Sequence, residues 1–182
     1  MKELSLHILD ILQNSTAANS SLVELIINED TSKDIFEFQV IDNGKGMDEE
    51  FLKNVVSPFT TKRKTRKVGL GIPLLKMAAE NADGGIDIKS KVGEGTTIKA
   101  TFRHSHIDRQ PLGNIVDTVF TVMTSYTDID FVYTHIVNGE TFTVDTRQLK
   151  EVLGDVPLNQ QSVMMWLLEY LREGEENLVN HE

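Results

Sequence analysis

The chain has 182 residues, 40% hydrophobic and 25% charged, an ordinary balance for a globular protein. It has no cysteine and no run of about 18 apolar residues, which excludes disulfides, thiolate metal ligands, cysteine nucleophiles and an apolar membrane-spanning helix. The formal net charge of −10 argues against an extended nucleic-acid surface, because phosphate binding needs a basic face.

The N-terminus, "MKELSLHILD", carries acids inside its apolar part and makes a poor secretory leader, so a cytoplasmic protein is expected. Charge is unevenly spread. Residues 1–103 hold 14 Lys and Arg against 15 Asp and Glu, whereas 104–182 hold 4 against 13. That shift places an expected boundary near 104, between a larger N-terminal unit (1–103) and a small acidic extension (104–182). One basic segment, "KRKTRK" at Lys62–Lys67, stands out as an anion-binding candidate.

In chain order, Leu4, Ile8, Ile11 and Leu12 have helical spacing. "SLVELIINE" and "DIFEFQVID" read as strands about a turn at "DTSKD", and "MDEEFLKNVVS" as a helix with acids in its first turn. A loop from Pro58 leads into the helix "GIPLLKMAAENA", and "GGIDIKSKVGEGTTIKATFRH" alternates as a hairpin. Next come a helix in "PLGNIVDTVFTVMTSY" and a hairpin about Asn138–Gly139, a pair suited to a type I′ turn. Helices over "TRQLKEVLG" and "NQQSVMMWLLEYLRE" follow, and the acidic tail after Gly174 is expected to fray. The pattern predicts an α+β fold, a two-layer sandwich of one mixed sheet with helices on one face, plus a small C-terminal α/β appendage.

Four stretches carry candidate chemistry. "LDILQNSTAANSS" places Asp10 and Asn14 one helical turn apart, ahead of small polar residues. "VIDNGKGM" ends a strand in Asp42, whose carboxylate can accept an exocyclic amine, with Gly44 and Gly46 letting backbone approach a flat ligand. "SPFTTKRKTRKVGLGIP" runs a basic loop into Gly69, Leu70 and Gly71 at a helix start, where free N–H groups suit phosphates. "GEGTT" is a glycine turn followed by Thr96 and Thr97.

In this order the stretches resemble the N, G1, G2 and last glycine boxes of the GHKL superfamily, which comprises gyrase-type topoisomerases, heat-shock chaperone ATPases, histidine kinases and mismatch-repair ATPases. "SPFTTK" is similar to the start of an ATP lid, and the chain as a whole looks like small stand-alone bacterial ATP-binding proteins. The resemblance covers residues 1–103 and implies a Bergerat-type sandwich that binds ATP and Mg²⁺. It implies that Asn14 holds Mg²⁺ through a hard oxygen, Asp42 accepts the adenine amino group, and Gly44 and Gly46 lie against the base. It further implies that Gly69, Leu70 and Gly71 pass over the phosphates, that Lys62 meets the terminal phosphate, and that Thr97 supports the base edge. Arg63, Lys64, Arg66 and Lys67 cannot be ranked behind Lys62.

Asp10 is the expected catalytic residue. In the hydrolysing branches the equivalent position is typically Glu, which activates water, and the shorter Asp predicts slow turnover. The leading expectation is a Mg²⁺-dependent nucleotide switch with slow hydrolysis that acts on a protein partner, with no nucleic acid or membrane involved. A histidine-kinase-like or anti-sigma-type serine kinase and a non-catalytic ATP/ADP sensor are the alternatives, and a homodimer is left open. His7 as a phosphoacceptor, and His104, His106 and Asp108 as a zinc set along one strand face, are weaker candidates.

Overall fold

Alternating burial along the strands makes the sheet one-sided. In the computed structural model, which describes residues 2–56 and 71–179, helix α1 (Leu4–Ala17) precedes β1 (Leu22–Asp30) and β2 (Ile35–Asp42). Next come α2 (Glu49–Val55), α3 (Gly71–Asn81), β3 (Gly85–Lys91) and β4 (Gly95–Arg103). The remainder is α4 (Ile115–Ser125), β5 (Asp130–Val137), β6 (Glu140–Asp145), α5 (Thr146–Leu153) and α6 (Gln161–Val179). Six strands form one sheet in the order β3-β4-β2-β1-β5-β6, antiparallel throughout except for the β1–β5 pair.

Register puts the buried residues of neighbouring strands on one face: Leu25 lies opposite Val40 and Tyr133, and Phe36 opposite Phe102. Each fully buried aliphatic or aromatic side chain there contributes about 1.5–3 kcal/mol relative to exposure. Leu4, Ile8, Ile11 and Leu12 of α1, Leu75 and Ala79 of α3, and Leu167 and Leu171 of α6 cover that face in one continuous core. This is the mixed sheet with helices on one side that the sequence pattern predicts.

The charge change at 104 does not mark a break in this architecture. Strand β5 pairs in parallel with β1 across its whole length, and α4 packs between α1 and α6. The Asn138–Gly139 turn has positive φ at both residues (49° and 88°), as a type I′ hairpin requires.

The C-terminal end differs from expectation: α6 continues past Gly174 to Val179 rather than fraying. Gly174 lies against the Phe142 ring, where any side chain would collide, and Leu178 is buried beyond it. Glu175 accepts hydrogen bonds from the Tyr133 hydroxyl (2.6 Å) and from His135 Nδ1 (2.8 Å). The other ring nitrogen of His135 meets Glu29 at 2.7 Å, and His104 Nε2 meets the second Glu29 oxygen at 3.2 Å.

His135 is buried, which alone disfavours a charged ring, but the two flanking carboxylates outweigh burial and push its pKa up to about 9. A folded pKa above the unfolded value near 6.5 gives stabilisation that is complete below the unfolded value and lost as pH rises through about 9. The melting temperature should therefore fall between pH 7 and 9.5, by an amount equivalent to about 3 kcal/mol at most. In His135→Gln this alkaline loss should vanish, and an unchanged slope in that variant would rule out the imidazolium as its source.

Candidate functional site

At the opposite end of the sheet from His135, three segments converge on Asp42. Its side chain lies on the helix-covered face, two residues beyond Val40, where β2 leaves the apolar core. Ser15 Oγ of α1 donates to Asp42 Oδ2 (2.7 Å), and the Gly44 amide donates to Oδ1 (2.9 Å). Each carboxylate oxygen therefore holds one donor and keeps capacity for another.

Residues 43–47 are laced to their neighbours. Lys45 N–H donates to the Ala18 carbonyl (2.8 Å), Gly93 N–H to the Lys45 carbonyl (2.8 Å), and Met47 N–H to Ser90 Oγ (2.8 Å). Asn43 accepts from the amides of Ser21 (2.9 Å) and Leu22 (3.0 Å). The end of α1, the turn after β2 and the β3–β4 turn thus make one continuous floor. Two glycines permit it. A methyl on Gly44 would sit 2.6 Å from the Ala18 carbonyl and 2.8 Å from Ser20 Oγ, and Gly95, at φ +124°, lies against the Asp42 carbonyl. Gly46, at φ +71°, faces the Lys91 carbonyl.

Helix α1 forms the wall. Asp10 and Asn14 are both half-buried and one turn apart. Asp10 Oδ2 is shielded from solvent with no hydrogen-bond partner among the described residues, and burial raises the carboxyl pKa above its usual value. That oxygen packs on Gly71, the first residue of α3, where a Cβ would collide with it. An orphaned buried oxygen beside a glycine-lined floor, with a carboxamide one turn away, suits a ligand carrying a hard cation. The residues present fit ATP with Mg²⁺.

Asp10, Asn14, Asp42, Gly44, Gly46 and Gly71 are thus gathered at one end of the sheet, whereas Lys62, Gly69 and Leu70 lie outside the described residues. Thr97 is placed differently from expectation. It pairs with Ile41, on the opposite face of the sheet, while Thr96 pairs with Asp42 and shares its face. Thr96 Oγ1 also bonds Ser90 Oγ (2.7 Å), which ties β3 to the strand that neighbours the carboxylate. Counting back by twos from Phe102, Ala100 and Ile98 reaches Thr96, so the signal was present in the sequence. Ser15 carried no local signal, because only the fold brings it to Asp42.

The histidines lie elsewhere. His7 is buried, with Nε2 3.1 Å from Gln110 Oε1 and a pKa lowered mainly by burial. Strand β4 ends at Arg103, so His104 and His106 lie in turns rather than on a strand face, against Glu29 and Asp83 respectively. The chain turns there because the Asp34 carboxylate captures the Ser105 hydroxyl and amide and the Arg103 guanidinium, contacts that hold its pKa at about 2.

Residues 2–106 match the family described as histidine kinase-, DNA gyrase B- and HSP90-like ATPase. The chain is 31% identical over 97 residues to a putative sensor protein of Shewanella frigidimarina, covering 52% of this chain and 15% of the relative. It is 30% identical over 98 residues to sensor histidine kinase YvrG of Bacillus subtilis, covering 52% and 17%. It is 28% identical over 116 residues to the non-motile and phage-resistance protein of Caulobacter vibrioides, covering 60% and 14%. The chain thus spans less than a fifth of each of these relatives.

The floor's packing predicts that Gly44→Ala is destabilising by about 1–3 kcal/mol, because the added methyl meets backbone that cannot move without opening the Lys45–Ala18 hydrogen bond. A urea midpoint equal to that of the parent chain would contradict this packing.

Proposed function

Because the chain belongs to the family of histidine kinase-, DNA gyrase B- and HSP90-like ATPases, we propose that it is a Mg²⁺-dependent ATP-binding protein that hydrolyses ATP slowly and acts as a nucleotide-controlled switch on a protein partner. The observation that carries this reading is the Asp42 carboxylate, fixed by Ser15 and Gly44 with acceptor capacity to spare at a glycine-lined floor. An acceptor-only group selects a base that offers an amine, which favours adenine over a base with a carbonyl there.

Asn14 would supply a neutral oxygen to Mg²⁺, which neutralises phosphate charge when bound. Asp10 would take a proton from the water that attacks the γ-phosphorus as the bond to the β-bridging oxygen breaks, yielding ADP and phosphate. One property supports slow turnover: the side chain is one methylene shorter than the glutamate of the hydrolysing branches. The phosphate-contacting role of Lys62, Gly69 and Leu70 in an ATP lid rests on sequence resemblance alone.

A kinase is the second reading, favoured by the relatives. One is named a sensor histidine kinase, and sporulation kinase D of Bacillus subtilis is 36% identical over 63 residues, covering 35% of this chain and 12% of that protein. ATP labelled in its γ-phosphate separates the readings: free phosphate supports hydrolysis, and label retained on a co-purified protein supports phosphoryl transfer.

Asp42→Ala should abolish measurable ATP binding while the chain stays folded. Asp10→Asn should retain ATP binding and lower phosphate release by about 100-fold or more. The parent's rate should fall on acidification from a pH above the ordinary aspartate range near 4. Unchanged turnover in Asp10→Asn would remove Asp10 from the chemistry.

A further inference from the structure

The run of small polar residues after Asn14 is the least explained part of α1. Ser15 is 3% exposed, and its hydroxyl donates to Asp42 Oδ2 at 2.7 Å. Its carbonyl is also occupied, accepting from Ser20 Oγ at 2.7 Å, so the residue is held from both sides. Ser20 in turn borders Gly44, whose amide binds the other Asp42 oxygen. The carboxylate is therefore clamped between a helix and a loop that are themselves tied together through Lys45 and Ala18.

On the reading of Asp42 as the adenine acceptor, we infer that Ser15 is the positioning residue that sets base selectivity. A carboxylate bonded through only one oxygen can rotate about χ2, a broad torsion in aspartate, and can trade a ligand amine for water. With Ser15 on Oδ2 and Gly44 on Oδ1, the plane of the group is fixed, and its free lone pairs point where an exocyclic amine must come. Ser15 also directly follows Asn14 in the chain, so the group that aims the base acceptor and the proposed cation ligand ride on the same turn of one helix. Base recognition and cation binding then share one rigid support. A nucleotide seated correctly at one end presents its phosphates at the other.

The test compares ATP with inosine triphosphate, which carries the same phosphates but a carbonyl in place of the amine. Binding to the full chain is measured by calorimetry with Mg²⁺ for the parent, Ser15→Ala and Ser15→Thr, with a thermal melt of each. Losing one hydrogen bond to a charged group should weaken ATP binding of Ser15→Ala by about tenfold, with inosine triphosphate binding unchanged. Ser15→Thr, which keeps the hydroxyl, should restore the preference. ATP affinity unchanged in Ser15→Ala would overturn the inference, as would an equal loss for both nucleotides alongside a lowered melt, which is the signature of a merely structural residue. A parent that binds ATP but does not prefer it also overturns it. A parent that binds neither nucleotide removes the ATP reading, and the inference with it.

Discussion

The one-sided alternation of the sheet is the constraint on which the rest of the molecule depends. On the helix-covered face, β2 presents Phe36, Phe38 and Val40, and β1, β4 and β5 add Val23, Leu25, Ile27, Ile98, Ala100, Phe102, Phe131 and Tyr133. An apolar belt of this kind cannot hold a charge at its middle without a desolvation cost far above what one ion pair returns. Polar groups on that face are therefore driven to the strand ends. Continuing each strand by twos gives Asp42 and Thr96 at one end, and Glu29, His104 and His135 at the other.

The two ends are chemically opposite. At the far end every charged group is answered: His135 uses both ring nitrogens, Glu29 both oxygens, and Glu175 arrives from α6 to complete the set. Such a saturated network fixes structure, and here it ties α6 to β5 and β1. At the near end the groups are under-satisfied. Among the described residues, Asp10 keeps an orphaned buried oxygen, and Asp42 holds one donor on each oxygen where it can hold more. Incomplete satisfaction in a buried, glycine-lined setting is the physical mark of a site built for something else to complete it.

Local pattern made much of this legible. Helical spacing accounts for α1 and α6, alternation accounts for the strands, and the glycines at 44, 46, 71 and 95 fall together at the near end. What escaped was partly local and partly non-local. Choosing Thr97 over Thr96 is a shift of one residue, and in a strand one residue is the whole difference between the two faces of the sheet. The parallel pairing of β5 with β1 leaves no local trace, because β5 alternates as any half-buried strand does. The charge shift near 104 leaves no mark on the sheet, because charge is carried largely by exposed side chains, whereas the sheet and core are held by buried ones. The tail after Gly174 was expected to fray because it is acidic and terminal, yet Gly174 is the contact that lets α6 close on Phe142.

Helix α1 links these themes, because its buried stripe and its functional stripe are set by the same turns. Leu4, Ile8, Ile11 and Leu12 are essentially inaccessible to solvent, which fixes the helix against the sheet and leaves Asp10, Asn14 and Ser15 little freedom beyond their own rotamers. Position 10 shows what that rigidity implies. The Asp10 carboxylate already packs on the Gly71 backbone, and only glycine allows the start of α3 to come so near. A longer glutamate in the same rotamer would run into that backbone, so it would have to turn outward or force α3 away. The short acid at position 10 and the missing side chain at position 71 are therefore one structural decision, and a change at either alters the surroundings of the other.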